Sequence, residues 1–201
     1  MVGLSGEETS PSLLVRLRDA RNQEAWKAFV TVYGPLIYGH ARRRGLAHED
    51  AEDVAQKVFA RISAAIGSFE YDRQRGRFRD WLGSIVRHEV VRHWKKEGRQ
   101  AHAAGDDALA HVAGDSIDPD WSAEYHSHVL ATALARCQPH FEAETWRAFQ
   151  QVWIDHCPPL QVSQEMNQPI DWIYVAKSRV LKRLWQEVQE LAEDTLVLPH
   201  D

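Results

Sequence analysis

Residues 71–100 read YDRQRGRFRDWLGSIVRHEVVRHWKKEGRQ, a basic and aromatic stretch in an otherwise acidic chain. It carries Arg73, Arg75, Arg77, Arg79, Arg87, Arg92, Lys95, Lys96 and Arg99, opposed only by Asp80, Glu89 and Glu97. At about 100° per residue, Phe78, Leu82, Ile85, Val86 and Val90 share one helical face suited to a core. Trp81, His88, Arg92, Lys95 and Arg99 form a second stripe beside it. Gly76 and the charged run around it predict a loop leading into this helix. A basic loop that opens onto a stripe of Trp and Arg suits an unpaired nucleic-acid strand, because cations follow phosphates and rings stack on bases. The same pattern also describes a solvated face over a core helix, with Trp81 as a half-buried ring.

The net charge of the 201 residues is −5, so the basic stretch is a local patch. That argues against a generic nucleic-acid coat, which is basic throughout. Eight Trp and 44% hydrophobic residues can supply one or two cores. No apolar run approaches the roughly 20 residues of a membrane span. The start, MVGLSGEETSPS, lacks a basic segment followed by an apolar one, so the expectation is a cytoplasmic protein without a membrane partner. Cys137 and Cys157 have His140 and His156 nearby in sequence. A helix over residues 141–155 would part the two pairs by roughly 20 Å, which predicts reduced cysteines rather than a metal site or a disulfide. With no clustered carboxylates at metal spacing and no glycine-rich phosphate loop, the expectation is no cofactor and no catalysis.

Outward from the basic stretch the periodicity is helical throughout. Residues 12–18 predict a short helix. Asn22 is a good N-cap for the next, where Trp26, Phe29, Val30, Tyr33, Leu36 and Ile37 recur. Pro35 is a candidate kink, and Arg42-Arg43-Arg44-Gly45 a stop signal. The helix from about His48 opens with acids and buries Ala51, Val54, Ala55, Val58, Ile62 and Ile66. Asp50, Asp53 and Lys57 lie on another face, with Gln56 beside them. These segments predict one helical domain over residues 12–98. Residues 99–118, rich in Ala, Gly and Asp, read as a flexible acidic linker.

A second domain is predicted over residues 119–192. Asp118-Pro119 is a helix start, and Trp121, Tyr125, Val129, Ala133 and Cys137 continue at i+4 spacing until Pro139. Phe141, Thr145, Trp146, Phe149 and Trp153 mark the next helix. A short helix with Leu160, Val162 and Met166 then meets the turn Asn167-Gln168-Pro169. A longer one follows, with Ile170, Ile173, Val180, Leu181, Leu184, Val188 and Leu191 as its apolar stripe. Short helix, tight turn and long helix are the helix-turn-helix plan. Asn167 suits the left-handed conformation such a turn requires. Trp172, Arg179, Lys182, Arg183 and Gln186 are expected opposite the apolar stripe, with Lys177 at its edge. Arg179 and Arg183 are candidates for phosphate or guanine contacts. The bland alternative for this segment is a C-terminal helical hairpin with a charged outer face.

Taken together, the chain resembles bacterial sigma factors of the extracytoplasmic-function class, in a planctomycete-like branch. The likeness rests on AWKAFVTVYGPLIYGHARRRGL, AEDVAQKVFARI, FEYDRQRGRFRDWLGSIVRHEVVRH, FEAETWRAFQQVW and IYVAKSRVLKRL, and covers about residues 12–192. It implies an all-α protein of two small domains. The first would bind the clamp helices of the largest subunit of core RNA polymerase and capture the unpaired −10 strand of promoter DNA. The second would read the −35 duplex and touch the β-subunit flap. Asp50, Asp53, Gln56 and Lys57 then fall at polymerase-binding positions. Arg75, Arg77, Trp81, His88, Arg92, Trp94, Lys95 and Lys96 fall in the melting segment. Trp172, Arg179, Lys182 and Arg183 fall on the recognition helix. The resemblance leaves room for an anti-sigma partner.

The chain departs from the family pattern in three places. Lys57 stands where an acid is common, and Pro169 where Ser or Thr usually caps the recognition helix. Asp171 and Trp172 replace small residues near the start of that helix. The rival reading is a stand-alone helix-turn-helix regulator, which needs a dimer interface and a palindromic site. No dimer helix is evident in the sequence.

Overall fold

Asn22 starts the first long helix. Its Oδ1 accepts a hydrogen bond from the Ala25 backbone N–H at 3.0 Å, a cap that contributes about 1 kcal/mol. The computed structural model describes residues 13–19, 21–68, 78–100 and 119–191. Arg75, Arg77 and nearly all of the expected linker lie outside them. Among the described residues the regular structure is helical, with α1 (Leu13–Leu17), α2 (Gln23–Arg43), α3 (His48–Ala65), α4 (Phe78–Gln100), α5 (Pro119–Cys137), α6 (Ala143–Phe149), α7 (Pro159–Met166) and α8 (Ile170–Leu191). None of these helices is long and apolar enough to cross a membrane.

The described residues form two compact units, the first reaching His128 and the second running from Val129 to Leu191. In the first, α1 packs on α2, α2 on α3 and α3 on α4. Helix α2 runs without a break through Pro35. It ends where Gly45 takes φ +87°, the left-handed conformation that favours glycine. There the N–H of Leu46 reaches back to the carbonyl of Ala41 at 3.3 Å. The expected stripes meet inside: Phe29, Ile37, Val54, Val58, Ile62, Phe78, Leu82 and Val86 are fully buried. Val30 is an exception, exposed at the edge of the α2 stripe, and Ile85 is half-buried.

Helix α5 belongs to both units. Its stripe Trp121, Tyr125, Val129, Ala133 and Cys137 is buried along the whole length. Residues 119–128, however, pack with the first unit. The Asp118-Pro119 helix start and the linker-like composition before it put the start of the second domain at residue 119, because the sequence shows an apolar stripe but not what covers it.

The second unit closes around Ala148, Val152, Val162, Ile173 and Ala176, with Trp172, Met166 and Cys157 packed against them. Helix α6 widens at its end into a π-turn over Gln150–Ile154, where the N–H of Asp155 bonds the carbonyl of Gln150 at 2.9 Å. Phe149 stacks on Trp153 at 5.3 Å across that turn. Asn167 takes φ 51°, ψ 42° between α7 and α8, the left-handed conformation expected of it. Ser163 donates from Oγ to the carbonyl of Gln168 at 2.6 Å, tying the turn to α7. Both cysteines are free. Burial, with the nearby Glu187 charge, pushes the Cys137 thiol up to about 11.

Candidate nucleic-acid interface

Helices α3 and α4 bury facing stripes against each other, so residues one position off each stripe line the cleft along their seam. Asp50, Asp53, Lys57 and Arg61 come from α3. Glu89, Arg92, His93, Lys95, Lys96 and Glu97 come from α4, around a cleft of ≈ 720 Å³. Three contacts between acidic and basic side chains organise it. Lys57 Nζ lies 2.5 Å from Asp53 Oδ2, one turn away. That hydrogen bond holds the Asp53 carboxyl below its ordinary range against the opposing effect of burial, with lesser help from the charge of Lys57 and from Lys96 and His93. His93 Nε2 sits 3.9 Å from Asp50 Oδ2. Arg61 Nε lies 2.5 Å from Oε1 of Glu89, a carboxylate only 2% exposed, close enough for an ion pair but out of line for a hydrogen bond. Gln56 is elsewhere, in a shallow groove on the α2 side with Gly34, Pro35, Tyr38, Glu52 and Ala55. The four residues assigned to polymerase binding are thus split between two grooves.

Along α4, His88, Arg92, Lys95 and Lys96 are exposed, while Trp81 and Trp94 are half-buried. The Trp81 ring leans on buried Phe78 at 5.6 Å and 44°, keeping part of its surface open. Trp94 sits beside His93 at 5.8 Å and close to Gly45 at the end of α2. Four cations or potential cations and two part-open rings therefore line one helix, the ingredients of a strand-binding surface. Arg79 is used otherwise. Its Nε donates to Asp80 at 2.7 Å, and its Nη1 lies 3.1 Å from His126 Nε2 on α5.

The first half of α5 brings residues that the sequence reading did not single out for a role. Trp121 is 2% exposed, and its indole N–H donates to the Arg79 carbonyl at 2.9 Å. Tyr125 stacks on Tyr33 at 6.0 Å. Glu124 accepts from Arg43 Nε at 2.6 Å and pairs with His40 Nδ1 at 2.8 Å. Burial pushes the Glu124 carboxyl up, but the hydrogen bonds from Arg43 and His40 outweigh it and hold the group below its usual value. His128 Nε2 meets the carbonyl of Val32 at 2.5 Å. The i, i+3, i+4, i+7 spacing of Trp121, Glu124, Tyr125 and His128 was the available signal that this face meets another helix.

On α8, Arg179, Lys182 and Gln186 are exposed as expected. Trp172 and Arg183 are part-exposed. Trp172 packs against the Ala148–Val162–Ile173 cluster, since residue 172 lies beside Ile173 and Ala176 on the helix rather than opposite them. Arg183 Nη2 reaches Glu187 Oε1 at 2.7 Å and His140 Nε2 at 3.3 Å. Glu187, missed in the sequence because it interrupts an apolar stripe, is 5% exposed. The open face of α8 near its start is instead Tyr174 and Val175, 49% and 54% exposed, followed by Ser178 and Arg179.

Residues 29–100 match the family described as Sigma-70 region 2. The matched span runs from α2 to the end of α4 and so contains the whole α3–α4 cleft. It supports a sigma factor of the sigma-70 family, a class that binds RNA polymerase and recognises promoters. No curated protein matches the chain.

Proposed function

We propose that this chain is a sigma factor of the extracytoplasmic-function type, planctomycete-like in its sequence, that directs core RNA polymerase to promoters and assists their melting. The observation that carries the reading is the family match over α2–α4 coinciding with the cleft where acidic α3 residues face basic α4 residues. In this reading Asp50 and Asp53, with Gln56 in the neighbouring groove, meet basic residues of the polymerase clamp helices. Lys57 is already paired to Asp53, so it moderates that contact rather than adding to it.

Trp81, His88, Arg92, Lys95 and Lys96 hold the unpaired strand, with Arg75 and Arg77 continuing the basic track. Melting needs no covalent chemistry. Stacking a base on protein returns about 1–3 kcal/mol, which offsets the few kcal/mol needed to unstack it from the duplex. Arg179 and Lys182 on α8 supply phosphate or groove contacts to promoter duplex. Trp172 and Arg183 support α8 from within its own unit.

Co-purification with core RNA polymerase tests this reading. Tagged chain is expected to retain the core subunits, and the complex to start transcripts at discrete sites on genomic fragments. A chain that binds palindromic duplex as a dimer and leaves core polymerase in the flow-through would establish the stand-alone regulator instead.

A further inference from the structure

The strand-binding face of α4 is fastened at its first turn by a segment that lies beyond the matched family region. Trp121 donates its indole N–H to the carbonyl of Arg79, the second residue of α4. In helical geometry the same carbonyl is the acceptor for the N–H of Gly83. The indole can reach it because residue 83 has no side chain: a Cβ there would overlap the ring, 2.6 Å from Cδ1 and 3.1 Å from Cε2. Glycine in a helix interior costs about 0.5–1 kcal/mol relative to alanine, so the notch is a feature with a local cost. A second tie joins Arg79 Nη1 to His126 one turn further along α5.

From these ties a row of ring contacts leads to the strand-binding tryptophan. Tyr125 stacks on Tyr33 at 6.0 Å, Tyr33 meets Phe78 at 5.8 Å, and Phe78 meets Trp81 at 5.6 Å. Tyr33, Phe78 and Tyr125 are at most 1% exposed. Close-packed rings transmit a displacement rather than absorb it.

We infer that Trp121 and Tyr125 are positioning residues for strand capture, setting the first turn of α4 and thereby the orientation in which Trp81 meets an unpaired base. The inference rests on the proposed function, because it assigns these residues to the strand-binding step of that reading. Residues 119–128 thus belong to the strand-capture machinery.

The test uses the full chain bound to core polymerase and a single-stranded DNA oligonucleotide containing 2-aminopurine, whose emission reports stacking. Gly83→Ala drives the indole out of its notch, Trp121→Phe keeps a ring but removes the N–H, and Tyr125→Leu breaks the ring row. All are measured well below their thermal midpoints, so that only folded protein is compared. Gly83→Ala and Tyr125→Leu are expected to weaken strand binding about tenfold and to reduce the 2-aminopurine signal, with core affinity within about twofold of wild type. Trp121→Phe is expected to fall between them and wild type. The coupling predicts that Gly83→Ala/Trp121→Ala binds strand no worse than Trp121→Ala alone. Lowered thermal midpoints with unchanged strand affinity and emission would reduce the segment to a structural brace and overturn the inference. If wild-type chain binds neither core nor strand, the proposed function fails and takes this inference with it. If wild type binds both and only the variants behave as wild type, the positioning role fails alone.

Discussion

Arg183 donates to the buried carboxylate of Glu187 at 2.7 Å, one turn along α8, with 40% of its own side chain still exposed. Arg179, one turn earlier, is exposed. Two arginines that look equivalent in sequence therefore have different surroundings. Arg183→Ala strands Glu187 without a cation and is expected to destabilise the second unit by about 1–3 kcal/mol. Arg179→Ala is expected to change stability by less than about 0.5 kcal/mol and to lower the magnitude of the salt slope for duplex binding by about one unit. Thermal melts and salt-titrated duplex binding of both variants decide this. Equal stability with equal loss of duplex binding would return Arg183 to the DNA-facing set.

Asp53 is about half-exposed and engaged by Lys57. Asp53→Lys is expected to weaken core polymerase binding at least tenfold with the helical content unchanged. Lys57→Ala releases the carboxylate and is expected to tighten core binding a few fold, an effect that fades with added salt because the pair is exposed. A pull-down with core enzyme in which Asp53→Lys binds as wild type removes this residue from the interface.

In the proposed reading, strand capture and duplex reading rest on different helices, so they should separate. Trp81→Ala with Arg92→Ala is expected to reduce promoter opening, read as permanganate reactivity of unpaired thymines, more than closed-complex formation. A pre-melted template should partly rescue this pair and leave Arg179→Ala with Lys182→Ala unrescued. The same degree of rescue for both pairs would sink the division of labour.

His40 is 4% exposed. Burial lowers its pKa from the usual 6.5, against the pull of Glu124 and with the help of Arg44 and Arg43; the Trp121 ring also faces it, edge to face. The unfolded chain therefore takes up this proton before the folded one does. Stability is expected to fall as pH drops below about 6.5 and to level off once the folded-state value is passed. Glu124, held below 4.5, contributes stability that is lost only in the acid range beneath that value. Thermal midpoints between about pH 7.5 and about pH 5 should drop less in His40→Asn than in wild type, the window in which histidines titrate. Identical slopes in the two proteins would mean that His40 carries no linkage.

The sequence by itself determined which segments are helical and which stripe of each is apolar. Both follow from local rules: side chains three and four residues apart share a face, and caps and glycine stops act within one turn. That is why the Asn22 cap, the Gly45 stop, the left-handed Asn167 and the stripe from Trp121 to Cys137 could be read directly. Periodicity also brought out the exposed cations Arg92, Lys95, Arg179 and Lys182. The tertiary structure alone decided what each stripe meets. An apolar face carries no address, so nothing in residues 119–128 said that Trp121 enters a notch at Gly83 or that Tyr125 stacks on Tyr33. The same holds for buried polar residues. Glu187 is buried beside Arg183, one turn back on its own helix, and His40 beside Glu124, which is distant in the sequence. Only the tertiary structure showed that Arg183 also pairs with Glu187.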